Sequence, residues 1–185
     1  LAGAATLLAD QRARWSGTLM AVFQPAEEIS EGARVMVNDD FYKRFPKPDV
    51  ILGQHVINSP VGSIEWSTGA ATTTGDSLMI RLFGRGSHGA MPENSIDPVV
   101  MAAAIVMRLQ TIVAREVPAN EAAIVTIGSL QAGTAENIIP DEAVLKVNVR
   151  TYDEKIRARV LEAITRIVNA EAAASGAEWP RPAGR

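Results

Sequence analysis

Residues 24–28 read Gln-Pro-Ala-Glu-Glu, directly after the apolar run Thr18-Leu19-Met20-Ala21-Val22-Phe23. Neighbouring side chains within a strand point to opposite sides, but on a loop at a strand end Glu27 and Glu28 can converge on one site. Two converging anions repel, so such a pair needs a cation nearby or one protonated group. The plain alternative is two solvated acids opening a helix, where the dipole favours negative charge. His55 stands 27 positions after Glu28, just past the apolar run Asp49-Val50-Ile51-Leu52-Gly53. An imidazole and a carboxylate on adjacent parallel strands suit Zn²⁺ or a similar divalent ion. A histidine hydrogen-bonded within its loop is the competing reading.

A second set of candidates lies further along. His88 sits in Gly84-Arg85-Gly86-Ser87-His88-Gly89-Ala90-Met91-Pro92, where three glycines free the backbone to approach another molecule closely. A phosphate cradle is disfavoured, because no helix opens directly from this loop and no Lys follows. A solvated loop histidine is the bland reading. Asn137, in Gly133-Thr-Ala-Glu-Asn-Ile-Ile-Pro-Asp141, precedes a strand that ends in Arg150. An amide and a guanidinium can together grip a carboxylate, the guanidinium bidentately. A turn asparagine and a surface arginine would look the same.

The elements that must position these residues change style partway along the chain. Ala2 to Arg14 reads as a helix, Gly17 to Phe23 as a strand, Ser30 to Asp39 as a helix with Ser30 as N-cap, and Asp49 to Gly53 as a buried strand. Continuous apolar strands separated by helices imply parallel βαβ units, whose ligands sit at the carboxyl ends of the strands. Glu27, Glu28 and His55 occupy such ends. Beyond a Ser/Thr/Gly-rich stretch from Gly62 to Gly75, strands alternate instead. Leu78, Ile80 and Leu82 share one face, and so do Leu145, Val147 and Val149. Asp97-Pro98 opens a helix to about Arg115. Thr151-x-x-Glu154 reads as a capping box before a helix ending near Ser175-Gly176. The order β-α-β-β-α predicts an antiparallel sheet with two helices on one face, close to a ferredoxin-like split βαβ unit. The fold class is therefore α/β, with a partial parallel βαβ domain over 1–72 and an α+β domain over 73–185. The helix from Pro98 is apolar nearly all round, so a second buried side is expected, supplied by another copy of the chain.

Composition bounds the rest. The 185 residues are 47% hydrophobic and 21% charged with a net charge of −3, which gives no electrostatic case for nucleic acid. No stretch reads as an uninterrupted membrane span or a signal peptide, so a cytoplasmic location is the default. Without cysteine there is neither a disulfide nor a thiolate metal site. The chain opens at Leu1 inside a helix-like stretch and closes on a non-periodic tail from Trp179, so a piece of a longer protein is expected.

Taken in order, Gln-Pro-Ala-Glu-Glu, Gly-Gln-His-Val, Gly-x-x-x-His-Gly-Ala-x-Pro with its Asp-Pro helix, Asn-Ile-Ile-Pro and Val-Arg resemble the metal-dependent amidohydrolases of the aminoacylase and carboxypeptidase G type. The branch holding hippurate hydrolases, N-acetyl-diaminopimelate deacetylases and auxin-conjugate hydrolases is the best match. The resemblance implies cleavage of the amide bond of N-acyl amino acids by a metal-activated water, in a homodimer formed through the lid domain. By the same resemblance Glu27 would be the general base, and Glu28 and His55 would ligate two divalent metals (Zn, or Mn, Co or Ni). His88 would enter the partner's active site to stabilise the oxyanion, and Asn137 and Arg150 would bind the substrate carboxylate. The family's first metal ligands, upstream, and its last histidine ligand, downstream, have no counterpart in this sequence. The isolated chain is therefore expected not to hold two metals tightly or to turn over substrate. The rival reading is a non-catalytic dimerisation or ligand-binding module of the lid type.

Overall fold

The computed structural model describes residues 1–29 and 31–177. The expected N-cap Ser30 and the tail from Trp179 lie outside the described residues. The chain divides into two compact units, Leu1–Gly62 and Ser63–Arg185.

The second unit is built on three antiparallel strands, β1 (Thr74–Phe83), β3 (Ala123–Ala132) and β5 (Glu142–Thr151). They lie in the order β1-β5-β3, so β5 is central. Its alternation explains that place: Ala143, Leu145, Val147 and Val149 are all buried on one face, while Lys146 and Arg150 are exposed on the other. Gly75 and Ile124 flank Arg150, and Phe83 faces Glu142 at the opposite end of the ladder. The register slips once, between Ile127 and Ser129, leaving Gly128 at a bulge. A short ladder, β2 (Ser87–His88) with β4 (Ile138–Ile139), stands apart from the main sheet.

Helices α4 (Pro98–Arg115) and α5 (Glu154–Ala174) cover the apolar face of the sheet. Asp97 caps α4, its side chain accepting from the Val99 and Val100 amides, with Pro98 at the first helical position. The cap of α5 is Asp153, which accepts from the Lys155 and Ile156 amides at 2.7 and 3.1 Å. Thr151 therefore does not serve as the expected capping residue. It ends β5, buried, with its hydroxyl 3.0 Å from that of Thr74, because the strand pairing consumes it before the helix begins. Met101, Ile105, Leu109 and Ile112 of α4 and Ile156, Val160, Ile164 and Ile167 of α5 meet the buried face of β5 in one core. Each such side chain contributes on the order of 1.5–3 kcal/mol when fully buried.

The other side of α4 is apolar but uncovered: Val100 and Met107 are 63% and 72% exposed, and Val99 is also exposed. By length and composition alone α4 reaches what is needed to cross a membrane, contrary to the reading that no stretch approaches it. Only two of its 18 residues are charged, Arg108 and Arg115. Its inner stripe is nevertheless committed to the core of its own unit.

The first unit contains α1 (Ala2–Asp10), α2 (Gly32–Asn38), α3 (Phe41–Arg44) and two short 3₁₀ turns, Arg12–Arg14 and Glu27–Ile29. Among its described residues no strand forms. The stretches 17–23 and 49–53 run without ladder partners, and Val50, Ile51 and Leu52 are 73%, 73% and 91% exposed. A strand of a parallel sheet needs a neighbour on each edge and a helix layer on each face. This unit supplies neither in full, so the apolar runs remain irregular and largely exposed.

Candidate functional site

Gln24 and Pro25 follow the apolar run that ends at Phe23, and Ala26 then adopts φ 51, a left-handed conformation that turns the chain sharply. The bend is pressed against the start of α2: a Cβ on Gly32 would fall 1.6 Å from the Pro25 carbonyl oxygen, so only glycine fits there. Glu27 and Glu28 follow in the 3₁₀ turn, both exposed. His55 is also exposed, on an irregular stretch, and its Nδ1 lies 2.7 Å from the Val56 carbonyl. A carbonyl oxygen only accepts, so Nδ1 donates, and in the neutral ring Nε2 keeps its lone pair.

No group of three metal-capable side chains exists among the described residues. Glu27, Glu28 and His55 are thus not gathered into a metal-holding cluster. The donor types, two carboxylates and an imidazole with an available lone pair, suit Zn²⁺ or Mn²⁺, but their arrangement does not fit two ions. The absent ladder is the physical reason: without it, no common sheet edge brings the acids and the imidazole together.

In the second unit the glycine loop is a tightly bonded turn. Ladder pairing sets His88 opposite Ile138, and the Gly89 amide donates to the Asn137 carbonyl at 2.8 Å. The Met91 amide returns to the His88 carbonyl at 2.8 Å, and Ser87 Oγ donates to the Met91 carbonyl at 2.8 Å. The three glycines do allow close approach, but to the chain's own backbone. A Cβ on Gly84 would lie 2.2 Å from the Ile96 oxygen, on Gly86 2.8 Å from the Ile139 oxygen, and on Gly89 3.1 Å from the Asn137 oxygen. His88 itself is exposed, and its Nδ1 accepts from the Ala90 amide at 3.1 Å.

Asn137 and His88 are therefore neighbours, and Arg150 is not with them. Arg150 lies at the Gly75 end of β5, while the loop joins the sheet at the Phe83–Glu142 end. Eight residue steps of extended chain separate Glu142 from Arg150, about 26 Å. An amide and a guanidinium at opposite ends of one sheet cannot grip the same small carboxylate within one copy of this unit. Arg150 Nε is engaged by Asn148 Oδ1 at 3.1 Å, and Asn148 Nδ2 donates to the Asp76 carbonyl at 3.2 Å.

Two residues here escaped the sequence reading. Asn148 orients Arg150, signalled only by its place two residues earlier on the same strand face. Asp141 accepts from the Gly86 amide through Oδ1 at 2.9 Å and from the Gly84 amide through its carbonyl at 2.8 Å. Its position after Pro140, opposite a glycine-rich loop, was the available signal. Nearby on the covered face, Arg157 forks onto Asp76 with bonds of 2.8 and 2.6 Å. Those bonds hold the Asp76 carboxyl below its ordinary value against the opposing effect of burial, and they raise the Arg157 guanidinium.

Residues 75–175 match the family of the peptidase dimerisation domain, M20 dimer. The chain is 39% identical over 178 residues to the hippurate hydrolase of Campylobacter jejuni, covering 95% of this chain and 45% of that protein. It is 37% identical over 177 residues to the N-acetylcysteine deacetylase of Bacillus subtilis, covering 95% and 46%. A solved structure from methicillin-resistant Staphylococcus aureus, described as an aminohydrolase, superposes with a TM-score of 0.81 at 28% identity, over 93% of this chain and 46% of that one. The chain thus spans less than half the length of the relatives it matches.

Proposed function

This chain belongs to the peptidase dimerisation domain family, and on that footing we propose that it is the lid, with part of the catalytic domain, of a homodimeric amidohydrolase acting on N-acyl amino acids. The lid and dimerisation domain covers 73–185 in this reading, and 1–72 belongs to the catalytic domain. The names of the relatives, a hippurate hydrolase and an N-acetylcysteine deacetylase, support this substrate class. The uncovered stripe of α4 through Val99, Val100 and Met107, which offers an apolar surface to a second copy, supports the homodimer.

Amide hydrolysis adds water to the acyl carbonyl and expels the amine. Glu27 takes the proton of the attacking water and passes it to the departing nitrogen. His88 presents an Nε2–H to the oxygen as it gains charge, and Asn137 and Arg150 bind the free carboxylate of the amino acid. The family's metal dependence enters here as two divalent ions, Zn²⁺ or one of Mn²⁺, Co²⁺ and Ni²⁺, to which Glu28 and His55 would contribute donors. Because those donors do not form a metal-holding group among the described residues, the chemistry assigned to this chain is that of its own side chains. A cytoplasmic location accompanies this reading.

The observation that carries the proposal is the separation of His88 and Asn137 from Arg150. If all three serve one substrate, they come from two copies: Arg150 from one, His88 and Asn137 from its partner. Mixing two inactive variants of the whole protein, His88→Ala and Arg150→Ala, tests this. Random exchange gives half mixed dimers, each with one complete site of two, so activity should return to roughly a quarter of the wild-type level. No recovery in a sample shown to contain mixed dimers overturns the shared site. The second reading, a non-catalytic dimerisation or ligand-binding module of the lid type, is favoured by the missing metal-holding group. It requires that the whole protein hydrolyse no N-acyl amino acid with its metals supplied.

A further inference from the structure

The chain has only two histidines, and the backbone treats them oppositely. At His55 a carbonyl faces Nδ1 at 2.7 Å, and at His88 an amide faces Nδ1 at 3.1 Å. A carbonyl can only accept and an amide can only donate, so Nδ1 must carry the proton at His55 and must lack it at His88. We propose that the backbone locks the two neutral imidazoles in opposite tautomers, Nδ1–H at His55 and Nε2–H at His88, with Asp141 as the positioning residue for the second.

The chemical consequence follows from which nitrogen is left outward. His55 offers a lone pair at Nε2, and His88 offers a proton there. No described residue bonds either Nε2. One ring is prepared to accept or ligate, the other to donate to an oxygen that gains negative charge. This division of labour rests on the reading of the protein as an amidohydrolase, but the tautomers themselves do not.

Asp141 enters because the Ala90 amide reaches Nδ1 only if the loop keeps its shape. The Gly84 and Gly86 amides both end on Asp141, one on its carbonyl and one on Oδ1. The side-chain contact needs an acceptor oxygen and not a charge, so asparagine at 141 preserves it and alanine does not. One hydrogen bond of ordinary strength biases a two-state equilibrium by about tenfold, enough for one tautomer to dominate.

The 185-residue chain, labelled with ¹⁵N-histidine and held where both rings are neutral, tests this by long-range ¹H–¹⁵N correlation. His55→Gln assigns the spectrum. A pyrrole-like Nδ1 at His55 together with a pyridine-like Nδ1 at His88 is expected. The same pattern at both rings, or an averaged one at either, overturns the proposal. Asp141→Ala should move the His88 pattern toward the average while Asp141→Asn retains it. An unchanged His88 pattern in folded Asp141→Ala removes Asp141 from the proposal, and if that variant does not fold, an averaged pattern in Asp141→Asn does the same. In the whole protein, Asp141→Ala should lower kcat about 10- to 100-fold with KM unchanged, and Asp141→Asn should restore it. If the tautomers are as stated but His88→Ala leaves hydrolysis intact, the oxyanion role of His88 fails and the tautomer assignment stands; if the whole wild-type protein hydrolyses no N-acyl amino acid, the amidohydrolase reading fails and the tautomer assignment again stands.

Discussion

Leu109 and Leu52 are the same side chain in opposite circumstances. Leu109 lies on α4 with no exposed surface, enclosed by a sheet and a second helix, while Leu52 is 91% exposed on an unpaired stretch. Every buried hydrophobic side chain among the described residues lies between Leu82 and Ile167, in the second unit. That unit closes its core from its own elements, because all three strands of the sheet and both helices that cover it lie within the unit. The first unit carries chains of equal hydrophobicity that have nothing to pair with. The comparison teaches that apolar runs specify strands only in company. It also separates the candidate residues: His88, Asn137 and Arg150 stand on a finished scaffold, whereas Glu27, Glu28 and His55 do not.

The largest effect that would sharpen this contrast concerns Glu27. If the first unit holds the general base, Glu27→Gln in the whole protein should lower kcat by about 10²- to 10⁴-fold while substrate binding, read by calorimetry, survives. A loss smaller than tenfold would place the base elsewhere. Next comes the core. Leu109→Ala should destabilise the chain by about 2–5 kcal/mol, read as a lower urea midpoint at constant m-value. A smaller cost would mean the second unit is less closed than its packing indicates.

Third is the outer stripe of α4. Met107→Asp puts a charge into the apolar surface offered to the second copy and should weaken self-association by about 10- to 100-fold in sedimentation equilibrium. The monomer should melt at an unchanged temperature, since Met107 touches solvent and not the core. Equal dimerisation of the variant would move the contact to another face.

The second unit was largely legible because its signals are local. Alternation through Leu145, Val147 and Val149 and the Asp97-Pro98 start each determine an element without reference to distant chain. The α5 cap was misplaced because Thr151 and Asp153 both satisfy the composition rule, and only the strand register decides which one is free. The first unit misled for a different reason. A continuous apolar run looks the same whether or not partners exist, so Val50-Ile51-Leu52 reads as a strand while its hydrogen bonds depend on residues elsewhere. Of the candidate site, the sequence showed which residues bear chemistry. It could not show that Asn137 adjoins His88 while Arg150 sits about 26 Å along the strand, since that depends on which end of β5 meets which loop.

A smaller test uses the Asp76–Arg157 pair inside the second unit. The folded-state carboxyl is held below its ordinary 3.8 by Arg157. A depressed carboxyl contributes stability above its unfolded-state value and loses it as pH falls through the folded-state value. The wild type should therefore melt above Asp76→Asn at a constant interval from pH 5 to 8. That interval should shrink below about pH 4. A difference that persists to pH 2 would mean the contact depends on shape and not on charge.

The smallest expected effect is the most direct check on the contrast itself. Leu52→Ala removes a side chain that is nine-tenths in water, so in this chain the unfolding free energy, read by urea titration, should change by no more than about 0.5 kcal/mol. Placed between sheet layers in the whole protein, the same truncation should cost about 2–5 kcal/mol, as Leu109→Ala does here. A large loss in the 185-residue chain would show that the stretch at 49–53 is already packed. A negligible loss in the whole protein would show that it never becomes a buried strand, and the acids and imidazole it should align would then lack a common edge in any context.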